Sequence, residues 1–337
     1  MSTDPDQNRQ VVVASLPTGP LEAANFDTQE TPVPEPGPGE VLCRTLAITI
    51  GAGQRAGLQG SASYAGAPET GRIMGGTGIA RIVASDDPQY RAGDVVRAPT
   101  GWQDYATPSV DEVELVPADA DPAELLGALG TNGLTAYFGL LEIGRPAEGE
   151  TVVVSAAAGS VGHIVGQLAR MKGARVVGIA GSDEKCALLV DQLGFDAAVD
   201  YHDDGFADAL RAATPDKVDI YFDNVGGPIL ESALFRMATK GRIVCCGAAS
   251  QYDTATPGGG PRGVPGLLVN NRVRMEGFLV FDFESSYARA RADLGQWVAD
   301  GSLQPLVTSY EGLDAAPSAF VDLLAGTTVG TTVVQVA

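Results

Sequence analysis

Lysine is scarce in this chain: Lys172, Lys185, Lys217 and Lys240 are the only ones among 337 residues. Basic residues number 22 against 42 acidic ones, a formal net charge of −20. A surface of that sign repels phosphate backbones and anionic lipid, which excludes nucleic acid and membrane as bulk partners. Histidine is scarcer still, with only His163 and His202. The four cysteines include the adjacent pair Cys245 and Cys246, and they build neither a disulfide framework nor a C-x-x-C knuckle. Cys43 sits on a predicted strand with no partner nearby, so a tetrahedral nitrogen–sulfur metal site has no ligand set and no metal is expected. No apolar run approaches the ~18 residues of a membrane span, and the stretch from Met1 to Gln10 lacks the basic-then-apolar pattern of a secretory signal. A cytoplasmic protein is the expectation. At 337 residues, with 45% hydrophobic and 19% charged, the composition is that of a globular protein too long for one core, and two domains are the natural reading.

What is present is concentrated between Thr151 and Gly181. An apolar run, Val152 to Ala158, broken only by Ser155, has the length and composition of a buried parallel strand. After Gly159-Ser160-Val161-Gly162, the residues Val165, Leu168, Ala169 and Met171 recur at helical spacing, and Arg175 to Ala180 is a second β-branched run. This is a strand–helix–strand unit of about 30 residues. Its turn, Ala157-x-Gly159-x-x-Gly162, is a variant of the dinucleotide fingerprint. Gly159 lets backbone approach a pyrophosphate, Gly162 lets the helix pack closely on the strand, and the helix N-terminus favours the anion.

Before this unit, Val11 to Ser15 and Val41 to Ile50 read as strands, and the prolines between 31 and 40 impose an extended path. Gly51 to Arg55 reads as a turn carrying one cation. Residues 72–106 alternate β-rich runs with Gly and Asp-Pro turns, the texture of a small antiparallel barrel. Helical patterns follow near 122–126 and 133–141. After Gly181 the alternation continues, with helices over 185–193, 206–212 and 226–237 and strands over 195–199, 218–223 and 241–247. Right-handed crossovers turn such an alternation into a parallel sheet covered on both faces. A Gly/Pro-rich loop at 256–266 has the composition of a lid or of a passive loop. A strand over 275–280, a helix over 287–299 and a β-textured tail from 303 complete the chain.

Several long segments now carry a resemblance: VPEPGPGEVL (33–42), GWQDYA (101–106), GLTAYFGLLEIG (133–144), VVVSAAAGSVG (152–162), GIAGSDEKC (178–186), LGFDAAVDY (193–201), DIYFDNVGG (219–227) and CGAASQY (246–252). Nearly the whole chain resembles the medium-chain dehydrogenase/reductase superfamily, and within it the zinc-independent, NADPH-dependent alkenal/enone double-bond reductases. The resemblance implies a Rossmann doubly wound parallel sheet plus a GroES-like, mostly-β barrel domain. It implies boundaries of 1–128 for the first part of the catalytic domain, 129–300 for the NADP(H)-binding domain, and 301–337 for the return. A homodimer is implied as well. The implied reaction is hydride transfer to the β-carbon of an α,β-unsaturated ketone or aldehyde. Quinone or carbonyl reduction, a specialised biosynthetic step, or nucleotide binding without catalysis are the alternatives.

Site residues follow from both sources. Ala157, Gly159, Ser160, Val161 and Gly162 form the pyrophosphate turn. The strand ending at Gly181 has no carboxylate at its tip, and Asp183 and Glu184 belong to the first turn of the next helix, where acids are favoured. Lys185, with Ser182 and Tyr201 by resemblance, can instead hold a ribose phosphate, so NADPH is expected over NADH. The resemblance points to Tyr252 as the hydroxyl beside the nicotinamide ribose, and assigns Cys246, Gly247 and Thr328 to the cofactor. Asn224 contacts nicotinamide or ribose, or caps a helix. Arg55, Tyr105 and Tyr137 are the candidates for substrate contact, the two tyrosines equally readable as core. The sequence departs from the family pattern at Gly51–Arg55, where an aromatic and a carboxylate are missing, at Thr131-Asn132, and at Thr328–Thr331.

Overall fold

A computed structural model describes residues 7–60, 67–254 and 260–337. The chain divides into two compact units, Met1–Leu126 with Val307–Ala337, and Gly127–Leu306. In the first unit β1 (Gln7–Val13) pairs antiparallel with β2 (Phe26–Pro32), Val13 opposite Phe26. β2 was not foreseen, because FDTQETP buries Phe26 and leaves mostly polar side chains in solvent. β3 (Val41–Ile50) is the long strand on which the unit is built, followed by α1 (Gly53–Gln59), β4 (Gly78–Ser85), β5 (Val95–Ala98), β6 (Tyr105–Ala106), β7 (Glu114–Leu115) and α2 (Pro122–Leu126). α1 corrects the turn expected at 51–55. The Gln54 side chain accepts from Gly51 N–H at 2.8 Å, Arg55 to Leu58 are buried, and Gly60 ends the helix in a left-handed conformation.

The second unit begins with α3 (Thr131–Phe138) and a wide helical turn to Gly144. β8 (Thr151–Val154), α4 (Gly162–Met171), β9 (Arg175–Ala180), α5 (Asp183–Asp191), β10 (Ala197–Asp200), α6 (Phe206–Ala213), β11 (Val218–Asp223), α7 (Gly227–Leu234) and β12 (Met237–Cys245) alternate as expected. α7 stops short of Met237, which already belongs to β12. α8 (Val264–Asn271) occupies the end of the expected 256–266 loop, whose residues 256–259 lie outside the described ones. β13 (Arg274–Gly277) and α9 (Tyr287–Ala299) close the series. The strands form one parallel sheet in the order β10-β9-β8-β11-β12-β13. That is the doubly wound Rossmann order, and it reverses direction between β8 and β11. Every residue of β8 is buried, and Val153, Val177, Ile179, Tyr221 and Ile243 share one core.

The chain then returns to the first unit through β14 (Val307–Glu311), α10 (Ala316–Leu324) and β15 (Thr331–Gln335). The first-unit sheet runs β14-β15-β3-β4-β5-β7, with β6 also on β3, and only the β14–β15 pair is parallel. α10 was hidden in a tail expected to be β-textured. Its buried face is Ala316, Ala319 and Phe320, and Phe320 meets the fully buried Trp102 edge-on at 5.8 Å. Among the described residues no helix is long and apolar enough to cross a membrane.

Candidate active site

β8 brings the chain to the carboxyl edge of the parallel sheet, at the point where strand order reverses, which is where open α/β sheets bind ligands. The turn that follows is held by backbone. Ala157 N–H donates to Ile179 O at 2.9 Å, and Gly159 N–H to Ala156 O at 2.9 Å. Ala156 itself is left-handed, with φ 47°, a conformation costly for a residue with a Cβ. At Gly162 a Cβ would stand 2.3 Å from Ala156 O and 2.8 Å from Ala157 Cα, so only glycine lets α4 start this close to the strand. Ala157 and Gly162 are buried, whereas Gly159, Ser160 and Val161 keep part of their surface in solvent at the mouth of the helix. The N–H groups of His163, Ile164 and Val165 close the first turn of the ten-residue α4 on Gly159 O and Val161 O, and the positive dipole end of the helix faces the turn. The turn is therefore a cradle for an anion.

At the tip of β9, Ser182 caps α5 by accepting from Lys185 N–H at 3.3 Å. Asp183 and Glu184 occupy the first helical turn, exposed, as the sequence implied. The Glu184 carboxyl is held below its usual range, first by its own backbone N–H and then by the Ser182 hydroxyl, so Ser182 uses both lone pair and proton locally. Lys185 is half-buried, and burial pulls its ammonium down. Tyr201 N–H donates to Ala180 O at 3.0 Å, and a Cβ on Gly181 would meet the Tyr201 ring at 3.0 Å and its hydroxyl at 3.3 Å. The tip thus offers a lysine, a phenol and a helix N-terminus, with no acid on the strand's last residues.

Beyond β11 and β12 a buried polar hub fixes the loops. Asp223 Oδ1 accepts from Gly226 N–H at 2.9 Å, Tyr221 O–H at 3.0 Å and Val225 N–H at 3.1 Å, with Ser155 Oγ at 3.3 Å. Burial pushes this carboxyl up, opposed by those donors. Ser155 in turn accepts from Asn224 N–H at 2.9 Å through Oγ, and its carbonyl accepts from the Asn224 side-chain amide at 2.7 Å. Asn224 is therefore pinned at the strand tip by β8. Gly247 leaves room there, since a Cβ would lie 3.0 Å from Asn224 O and 3.6 Å from the Tyr252 hydroxyl. That hydroxyl accepts from Ala248 N–H at 3.2 Å. The Cys246 thiol is pushed up to about 12 by burial and is uncharged at neutral pH. Ser155 and Asp223 were not among the residues singled out as functional. Their signal was available as the one polar break in the β8 run and the acid ending the apolar run of β11.

The remaining candidates lie elsewhere. Arg55, Tyr105 and Thr328 belong to the first unit, on α1, on β6 and in the loop before β15. Arg55 is 1% exposed and donates to Gly19 O at 2.8 Å, joining α1 to Gly19. Tyr105 is half-buried, its N–H donating to the Asn8 side chain at 2.9 Å. Tyr137 is core of the second unit, where its hydroxyl donates to Asp293 at 2.6 Å and its ring stacks on Trp297 at 6.0 Å. Burial and that carboxylate push the phenol up to about 12. Among the described residues no group of three or more His, Cys, Asp or Glu could hold a metal ion.

Comparison with known proteins agrees with this geometry. A family model for the N-terminal domain of oxidoreductase matches residues 9–116, and one for zinc-binding dehydrogenase matches residues 160–294. NADPH-dependent curcumin reductase of Escherichia coli (strain K12) is 39% identical over 342 residues, covering 100% of this chain and 99% of the relative. Prostaglandin reductase 1 of Rattus norvegicus is 39% identical, covering 93% and 94%. The crystal structure of CurA from Vibrio vulnificus in complex with NADPH superposes with a TM-score of 0.93 at 39% identity, covering 98% of this chain and 99% of that one. The chain belongs to the medium-chain dehydrogenase/reductase superfamily, and within it to the NADPH-dependent alkenal and enone reductases.

Proposed function

We propose that this protein reduces the C=C bond of α,β-unsaturated ketones and aldehydes with NADPH, without a metal, as a cytoplasmic homodimer. The observation that carries the reading is the pairing of the Ala157–Gly162 cradle with a β9 tip that presents Lys185 and Tyr201 where NAD-preferring folds place an acid. Relatives named NADPH-dependent curcumin reductase and prostaglandin reductase 1, matched over nearly their full length, support the substrate class.

When bound, the dinucleotide supplies a hydride to the β-carbon, leaving an enolate oxygen to be stabilised and an α-carbon to be protonated. The chain's own residues bind and orient. The α4 N-terminus and the turn before it hold the pyrophosphate, and Lys185 and Tyr201 the ribose phosphate, with Ser182 fixing the helix end. Asn224, locked by Ser155 at the tip of β11, would contact the nicotinamide or its ribose with the polar atoms that Ser155 leaves over. Tyr252 receives the Ala248 N–H on a lone pair, which leaves its own proton to donate. Carbonyl polarisation falls to such donors in this reading: among the described residues both nitrogens of His163 are engaged by backbone, and His202 faces Gly181 O at 3.1 Å. Support for the homodimer is the edge position of β13, close in sequence to exposed Val269 (73%) and Phe281 (58%).

Purified protein mixed with NADPH and a panel of enones tests the reading. Loss of nicotinamide absorbance with a saturated ketone or aldehyde as product supports it. An allylic alcohol product would move the assignment to carbonyl reduction, and tight NADPH binding with no turnover on any enone to a non-catalytic role.

A further inference from the structure

Directly behind the phosphate turn, His163 is 0% exposed, and backbone engages both of its ring nitrogens. Nδ1 lies 2.8 Å from Gly159 O. A carbonyl oxygen only accepts, so Nδ1 carries the proton. Nε2 accepts from Leu306 N–H at 3.0 Å, so Nε2 carries none. The neutral Nδ1–H tautomer is the one state that makes both bonds. Burial favours the same state, holding the imidazole down to about 4.

The Gly159 carbonyl accepts twice from this one residue, from the ring and from His163 N–H at 3.3 Å. In a planar peptide the C=O and the following N–H point in opposite directions. Holding this carbonyl toward the helix therefore turns the Ser160 N–H outward, to the side where the α4 dipole favours an anion. A flipped peptide would place an oxygen lone pair there instead. On the far side of the ring, the 304–306 backbone is held a second time by Gln167, one turn further along α4. Gln167 Oε1 accepts from Gln304 N–H at 2.8 Å, and its Nε2 donates to Gln304 O at 3.0 Å and to His163 O at 2.9 Å. Of the two clamps on 304–306, only His163 also reaches the phosphate turn.

We propose that His163 is a positioning residue for the dinucleotide, its ring bracing the Gly159 peptide against the Leu306 backbone so that the turn is set before the pyrophosphate arrives. This rests on the NADPH reading above.

Two substitutions separate the arms of the ring. His163→Asn keeps an amide N–H near the Nδ1 position and loses the acceptor for Leu306, whereas His163→Gln keeps an acceptor near Nε2 and loses the donor to Gly159. Gln167→Leu removes the other clamp and leaves Gly159 untouched. Expected is a rise in NADPH Kd and KM of roughly tenfold for H163Q, with kcat at saturating NADPH changed less than about threefold. H163N, which keeps the arm to Gly159 but leaves it unanchored at Leu306, is expected to raise Kd about threefold and Q167L to stay at the wild-type value, although all three lower the thermal midpoint. Equal Kd values for H163N and H163Q, or Kd tracking the thermal midpoint across the series, would reduce His163 to a core residue. Wild type alone gives a second readout, because coupling is reciprocal: NADPH should slow hydrogen exchange at the Leu306 amide, and no change there overturns the proposal even if H163Q does not fold. Wild type that binds no NADPH would sink the functional reading itself, whereas binding without these differences would sink only the role of His163.

Discussion

Arg55 in the first unit and Asp223 in the second are both charged-type side chains taken out of water, at 1% and 2% exposure, yet they serve different parts of the backbone. Arg55 donates to Gly19 O across 36 residues of chain, and nearby polar groups behave alike. Arg97 donates to Leu125 O at 2.9 Å, and the fully buried Asn8 donates to Tyr105 O at 3.0 Å. These bonds tie distant segments of a sheet unit whose outer strands are as short as the two-residue β6 and β7. Asp223 instead gathers the N–H groups of Val225 and Gly226, a few residues on, while Ser155 Oγ accepts from Asn224 N–H and the His163 ring donates to the Gly159 carbonyl. A buried polar group thus points to a binding site when it holds loop backbone at the carboxyl ends of strands. When it ties one distant segment of the sheet unit to another, it points to cohesion alone.

The largest effect expected from this contrast is at Gly162. A side chain there meets Ala156 O and Ala157 Cα at 2.3 and 2.8 Å, backbone that cannot rotate aside. Gly162→Val is expected to weaken NADPH binding by at least about 100-fold and to destabilise the fold by about 3 kcal/mol. Gly159→Ala, whose Cβ would lie 3.2 Å from Ala156 O, is expected to stay within about tenfold of wild type in the same fluorescence titration. Equal losses at the two positions would show that the turn tolerates α4 moving away from β8.

Acid comes next. The buried His163 imidazole titrates at about 4 rather than its ordinary 6.5, so between those values the unfolded chain binds a proton that the folded one refuses. Its contribution is complete above 6.5 and is lost as pH falls toward 4, a difference of about 3 kcal/mol. Urea unfolding of wild type and H163N at pH 7 and at pH 4.5 measures this, because carboxylates titrate in both proteins and cancel. A wild-type stability that falls no faster than that of the variant would mean the ring is hydrated.

Much of this architecture could be read before the coordinates. β3 and β11 begin and end where apolar and β-branched runs do, α9 spans the 287–299 stretch read as helix, and the Gly-rich turn sits at the switch point the alternation implied. What escaped reading escaped for physical reasons. β2 is a polar strand recognised only by its partner β1, and α1 is stabilised by a side-chain cap and a buried arginine inside a glycine-rich string that looks like a turn. The site was legible as residue types but not as bonds. That Tyr137 is claimed by Asp293, or His163 by Leu306, depends on contacts spanning 156 and 143 residues, which no local pattern encodes.

Arg55 sharpens the contrast from the first unit. Arg55→Met removes the donor to Gly19 O and is expected to cost about 2 kcal/mol in thermal or urea unfolding, leaving NADPH Kd unchanged, because the Ala157–Gly162 turn belongs to the other unit. An altered KM for enone at unaltered stability would return Arg55 to the substrate.

The smallest effect, and the most selective, belongs to Lys185. Its ammonium is half-buried and held down by desolvation, a cost that a phosphate dianion placed beside it would offset. A charge-assisted bond to a partly exposed group is worth about 1.4 kcal/mol, which corresponds to about tenfold in affinity. Lys185→Ala is therefore expected to raise NADPH Kd by about that factor while leaving NADH, which has no ribose phosphate, unchanged. Lys185→Arg keeps the charge but brings a planar fork to a place shaped around a point cation, and should recover only part of the loss. If alanine weakened both dinucleotides equally, the Lys185 side chain would be packing against α5 instead of reading the ribose phosphate, and the preference for the phosphorylated cofactor would have to come from Tyr201 and the helix end alone.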